Sequence, residues 1–187
     1  MLIDLVTKNR SYRRFYQDVT ISTNSLLELI ELARLTATGA NKQSLKYKLI
    51  NNSLENEEVL SCLDWAGYLA DWEGPEEGEK PSAYIIILND TRIKQNPNYD
   101  VGLACQSILL GAVEKGLGGC MFGSVNREQL RESLTIPVEY DITLVIALGK
   151  PKEEVVIADV VNGNIKYWRD DEHIHHVPKR KLENIIL

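Results

Sequence analysis

The chain has little cysteine: three residues in 187, at Cys62, Cys105 and Cys120. An odd number without metal-like spacing rules out a disulfide framework and a zinc motif. Two of the three stand in apolar runs, so buried free thiols in a reducing compartment are expected. Positive charge is also short. A formal net charge of −6 leaves no basic surface for general nucleic-acid binding. No apolar run reaches the roughly 20 residues of a membrane span; the longest, inside Tyr99–Val125, is bracketed by Asp100 and Glu114–Lys115. The start, MLIDLVTKNRSYRRF, carries Asp4 within its apolar part and no small-residue cleavage site, unlike a signal peptide. Repeats and low-complexity linkers are missing too. These absences imply one cytoplasmic domain over 1–187, with no nucleic-acid or membrane partner.

What is present is organised around Tyr99–Val125. From Val101 to Val113 there is no charged side chain, which predicts a core helix without a solvated face. Ala104, Ser107 and Gly111 form a small-residue stripe on it, and the partners it needs on every side include a second copy of the chain. Gly116, Gly118 and Gly119 predict a glycine-rich turn at its end. Helices are expected over 2–7, over 23–36 behind a Thr20–Ser22 cap, from a Ser53 cap to about Trp65, and over 126–134 with Asn126 as cap. Strands are expected at 46–51, 83–88 and 142–148, with a short one near 164–168. Asp71–Pro81 reads as an acidic loop or lid. Strand runs separated by helices without strict alternation indicate an α+β fold. The apolar tail Leu182–Leu187 is expected to pack, with a partner subunit as one surface for it.

Chemistry is suggested first by two basic clusters in an acidic chain: Arg10, Arg13 and Arg14 near the start, and Lys179, Arg180 and Lys181 near the end. Brought together, with Ser11 as a hydroxyl donor, they would hold a dianion such as phosphate; apart, they are two solvated patches. All three histidines lie in His173–His176. His173 and His175 would share a face of a strand, but an exposed polar loop is the ordinary reading, and no metal is expected. Gly116-Leu117-Gly118-Gly119 is not a dinucleotide fingerprint, because Met121 stands where the third glycine belongs. Trp65, Tyr68 and Trp72 are either core aromatics or a cover over a ligand.

Four segments add a resemblance. Asn9–Phe15 (NRSYRRF) resembles the N-terminal RRSxRxF motif of the nitroreductase family. Thr38–Gln43 (TGANKQ) is similar to that family's S-x-x-N-x-Q-P turn. Asp100–Gly123 resembles its central helix with the following GLGxxxxG turn, and ALGKP at 147–151 its ALGYP strand end. The four occur in family order across nearly the whole chain.

The resemblance implies a nitroreductase-like α+β fold: a central, mostly antiparallel sheet flanked by helices, in an intertwined homodimer with FMN at the subunit interface. It assigns Arg10, Ser11 and Arg13 to FMN, and Lys179 and Lys181 to its phosphate. Thr38, Gly39, Asn41 and Gln43 would face the flavin, the 38–39 turn coming from the other subunit. Phe122, Gly123 and Ser124 would run along the flavin edge. Asn9 replaces an arginine of the family motif, and Ser44 its proline. The implied activity is hydride transfer from NAD(P)H through FMN to nitro compounds, quinones or similar acceptors by a ping-pong cycle. The flavin carries the chemistry, so no catalytic side chain is required, and Trp65, Tyr68 and Trp72 would border the substrate. The alternative is a flavin-binding sensor or store on the same fold.

Overall fold

Ala83–Asp90, an apolar and β-branched run, is buried along its whole length and forms a central strand. The computed structural model describes residues 1–187. In chain order the elements are α1 (Leu2–Lys8), β1 (Phe15–Tyr16), α2 (Thr23–Leu35), β2 (Leu45–Ile50), α3 (Ser53–Leu60), β3 (Ala83–Asp90) and α4 (Asn98–Glu114). They continue with β4 (Gly118–Phe122), α5 (Arg127–Ser133), β5 (Tyr140–Pro151), β6 (Val155–Asp159), β7 (Trp168–Arg169) and β8 (His175–Lys179). The main sheet runs β2-β3-β5, with β4 and β1 both on the outer edge of β5, and every pair is antiparallel. A second, three-stranded sheet has the order β6-β8-β7, with β6 and β8 parallel.

Strand alternation divides the core in two. Tyr84, Ile86 and Leu88 face one side, against Val59 of α3 and Leu130 of α5. Ile85 and Ile87 face the other, against Leu26 and Leu29 of α2 and Cys105 and Ile108 of α4. The expected α+β layering is present, with helices on both faces of the sheet. Local signals behave as their chemistry requires. Ser22 Oγ accepts from Ser25 N–H at 3.1 Å to start α2, and Asn126 Oδ1 accepts from Gln129 N–H at 3.2 Å to start α5.

Departures from the sequence reading have local causes. The helix expected to reach Trp65 is capped by Asn52 and stops at Leu60. There the chain turns into main-chain bonds with the segment after β4: Asn126 N–H donates to Cys62 O at 2.8 Å and Asp64 N–H to Ser124 O at 3.2 Å. The expected glycine turn is confined to Gly116, with φ +72°; Gly118 and Gly119 already belong to β4. At Gly119 a Cβ would lie 2.5 Å from the Ala147 carbonyl oxygen and 2.8 Å from Leu109 Cδ2, so the glycine is needed for close approach. Gly119→Ala is expected to cost about 2–3 kcal/mol, measured by urea unfolding; a change within 0.5 kcal/mol would mean that the strand shifts freely.

The stripe on α4 is filled from within the chain: a Cβ at Gly111 would strike Leu32 of α2, and Ser107 Oγ lies 2.8 Å from Thr36 Oγ1. The helix is nevertheless not covered all round, since Tyr99 and Leu103 are exposed, and α1 has no buried residue. The strand expected near 164–168 is only Trp168–Arg169, an edge strand paired with β8; β6 precedes it and β8 follows it in the chain. The apolar tail from Leu182 ends exposed at Ile185, Ile186 and Leu187. No helix is long and apolar enough to cross a membrane.

Candidate functional site

The NRSYRRF segment lies along the free edge of β4. Ser11 bridges to Gly119, and Tyr12 N–H donates to Gly119 O at 3.1 Å. Successive arginines therefore point to different places. Arg14 turns away and grips Glu79 through Nε and Nη2 at 2.5 and 2.6 Å, and this pairing holds the Glu79 carboxyl below the usual range. Arg13 turns inward and is 9% exposed. Its Nη1 donates to Ser11 O at 3.2 Å and lies 3.3 Å from His175 Nε2, while its guanidinium stands 4.7 Å from the centre of the Tyr167 ring.

These groups border a cleft of about 230 Å³. Arg10, Ser11 and Arg13 form one side. Gly119 and Met121 of β4 and Leu109 of α4 form the base, and Tyr167 with His175, Val177 and Lys179 of β8 forms the opposite side. The two basic clusters thus meet through Arg10, Arg13 and Lys179. No carboxylate lines the cleft. Two buried nitrogens of its lining, Arg10 Nε and His175 Nδ1, have no hydrogen-bond partner. Three cations, unused N–H donors and a base with a glycine suit an elongated anion with a flat part. Asn9 spends its amide on Gln106 Oε1 at 3.3 Å.

Other residues singled out from the sequence lie apart from this cleft in the single chain. Lys181 follows β8, is exposed and does not line it. The 38–43 turn is held by Asp100, whose carboxylate accepts from Gly39 N–H at 2.8 Å and from Lys94 Nζ at 2.5 Å. Ala40, Asn41 and Gln43 all take φ of +52° there. Thr38 and Gln43 line a separate cavity of about 260 Å³ that shares no residue with the first. On β4 the alternation sends Met121 to the cleft and Phe122 to the core, where its ring meets Trp65 at 4.6 Å. Gly123 and Ser124 are exposed just beyond, their carbonyls accepting from Arg127 and Asp64.

Trp65 and Trp72 pack edge to face at 5.9 Å, and Trp72 carries the Arg169 guanidinium at 4.3 Å. Both are half-buried and line a separate cavity of about 650 Å³ that shares no residue with the cleft. Tyr68 alone reaches the cleft's border, with its ring 4.9 Å from that of Tyr167. The histidine run is divided by its strand. His176 faces outward, stacked on Trp168 at 4.8 Å with Nε2 2.7 Å from Asp170, while His175 is fully buried. Burial, then the charges of Arg13, Arg169 and His176, push the His175 pKa down to about 4. No group of three His, Cys, Asp or Glu is placed to hold a metal.

Tyr167, His175, Val177, Gln106 and Met121 were not singled out as ligand-facing from the sequence. Only β8 offered a signal, because in HHVPK the residues 175, 177 and 179 share one face.

Comparison with known proteins agrees with this architecture. The Nitroreductase family profile matches residues 6–150, which leaves β6, β7 and β8 beyond the match. A putative NADH dehydrogenase/NAD(P)H nitroreductase of Archaeoglobus fulgidus is 26% identical over 149 residues, covering 75% of this chain and 80% of that one. An FMN-dependent nitroreductase of Clostridium difficile R20291 superposes with a TM-score of 0.66 at 21% identity, covering 81% of this chain and 88% of the other. A nitroreductase family protein of Clostridium novyi NT gives 0.68 at 19% identity, with 95% of this chain and 94% of the other covered. With the profile spanning well over half of its length and the fold shared, the chain belongs to the nitroreductase family.

Proposed function

We propose that this protein is a homodimeric FMN-dependent oxidoreductase that passes hydride from NAD(P)H to nitro compounds, quinones or similar small acceptors. The observation that carries the reading is the meeting of Arg10, Arg13 and Lys179 on a carboxylate-free cleft with unpartnered N–H groups. When bound, FMN supplies the hydride-accepting and hydride-donating chemistry. The residues hold and orient it. Arg10 and Lys179 take the phosphate, Ser11 adds a hydroxyl donor, and Arg13 opposes negative charge at the pyrimidine end. The backbone of Phe122, Gly123 and Ser124, just beyond the cleft, would follow the flavin edge.

A dimer is supported by apolar surface that one chain leaves bare: Leu2, Ile3 and Val6 of α1, Tyr99 and Leu103 of α4, and Leu32 and Leu35 of α2. In the dimer, Thr38, Gly39, Asn41 and Gln43 would reach the flavin of the partner subunit. A second reading, a flavin-binding protein without efficient turnover, is favoured by Tyr167, which lines the cleft beside Arg13, and by Tyr68, whose ring is tilted against it at 4.9 Å.

The experiment that separates them is anaerobic addition of one equivalent of NADH or NADPH to the purified, FMN-loaded protein. Bleaching of the flavin absorption within seconds supports the reductase; a flavin that stays oxidised with both nucleotides supports the binding protein. A protein that takes up no FMN removes both. Lys179→Ala, at an exposed position, is expected to weaken FMN about tenfold and leave riboflavin, which has no phosphate, unchanged; equal losses for both would take Lys179 off the phosphate.

A further inference from the structure

The side of the cleft formed by β8 lies outside the family match, which ends at residue 150. It is a regular strand surface. Alternation places His175, Val177 and Lys179 on the face toward the cleft and His176 on the other, against Trp168 and Asp170. From His175 to Lys179 the strand extends about 13 Å, at roughly 3.3 Å per residue, so its two polar side chains address opposite ends of a long ligand. Lys179 stands at one end. His175 stands beside Arg13 at the other.

The protonation of His175 follows from its neighbour. Arg13 Nη1, 3.3 Å from His175 Nε2, is a donor with no acceptor capacity, so Nε2 must accept. The ring proton then sits on Nδ1. That N–H is buried and has no partner, on a ring fixed between the strand backbone, where His175 N–H donates to Glu154 O at 2.9 Å, and Tyr167, whose ring lies 5.2 Å away. A buried donor left unused is costly. A bound molecule with an acceptor atom would satisfy it.

We propose that His175 is a ligand-binding residue of this cleft, neutral and protonated on Nδ1, donating that N–H to a flavin acceptor atom at the end where Arg13 stands. The assignment rests on FMN as the occupant. It gives the C-terminal sheet a part in recognition: β8 carries a neutral donor for one end of the cofactor and a cation for the other. A pKa near 4 keeps the ring uncharged at neutral pH, so it adds a hydrogen bond without adding charge beside Arg13.

The test measures FMN dissociation constants for the apoprotein with His175 intact and for His175→Phe and His175→Asn, together with nitrogen NMR of the His175 ring. His175→Phe is expected to bind FMN about tenfold more weakly. His175→Asn, whose amide N–H stands near the Nδ1 position, is expected to recover most of that loss, a rescue that packing alone would not produce. With the native histidine, the ring is expected as the Nδ1–H tautomer, and its N–H signal to move on adding FMN. This spectrum decides the question even if the variants fail to fold. If the apoprotein binds FMN but the ring is the Nε2–H tautomer, or His175→Phe binds as tightly as the native protein, the role of His175 is overturned while the cofactor reading stands. If the native protein binds no FMN, both fall.

Discussion

Replacing Glu153 with alanine is expected to lower stability by about 3–5 kcal/mol, the range for removing one partner of a buried ion pair. The Glu153 side chain is 1% exposed. One carboxylate oxygen accepts the main-chain N–H groups of both Arg13 and Arg14, and the other accepts from Arg169 Nη2 at 2.9 Å. Arg169 is itself sandwiched against Trp72. One carboxylate therefore ties the N-terminal motif, the β7 strand and the 65–72 loop together. With it gone, two buried N–H groups and a mostly buried guanidinium lose their acceptor. Urea unfolding at neutral pH measures the loss, and Glu153→Gln, which retains acceptor capacity for the main chain but not the charge, should fall between. A change below 1 kcal/mol for the alanine variant would mean that the pairing behaves like an exposed salt bridge.

Acid sensitivity should trace largely to one ring. The unfolded chain protonates His175 near 6.5, whereas the folded protein does so only near 4. Between those values the unfolded state binds more protons, so stability is complete above pH 6.5 and is lost progressively as pH falls toward 4. The integrated loss is about 3 kcal/mol. The charges that act on the ring come from Arg13, Arg169 and, across the strand, His176, all cationic or able to become so, and they reinforce the effect of burial. Stability measured by urea at steps from pH 7 to pH 4 should show this slope in the native protein. It should be nearly flat for His175→Asn over the same window, apart from what Glu79 and the other paired carboxylates lose at lower pH. Identical slopes would show that the imidazole is solvated before the protein unfolds.

Fold and site were legible to different depths. The strands 83–90 and 140–151 and the helices α2, α4 and α5 were read to within a few residues, because β-branched runs and polar caps such as Ser22 and Asn126 act locally. The strand β4 was not, since Gly118 and Gly119 signal a turn when seen alone; only the Ala147 carbonyl pressed against Gly119 explains a strand. In β6 and β8, short runs holding acids, histidines and a proline carry a weak pattern. The convergence of Arg10 and Arg13 with Lys179 was expected through the family resemblance, whereas the basic runs alone left it open. Arg14 looks the same as Arg13 in the sequence and differs only because Glu79 waits on the other side. Tyr167 was not singled out, and His175 was weighed only as a metal ligand, because their place beside the cleft depends on how a small sheet folds back over Arg13, a long-range fact that strand alternation in HHVPK only hints at.

That sheet has a bearing on how the protein is made. The cleft takes one side from residues 10–13, its base from 109–121 and its other side from 167–179, so no fragment emerging early from the ribosome contains it. The N-terminal motif must wait for β4 to dock on and for Glu153 to hold its backbone, and the cations at the two ends of the ligand meet only once Lys179 has been synthesised. Closing such long loops is the slow part of folding. A chain stalled before β8 would therefore present an open half-cleft, without the wall that carries His175 and Lys179.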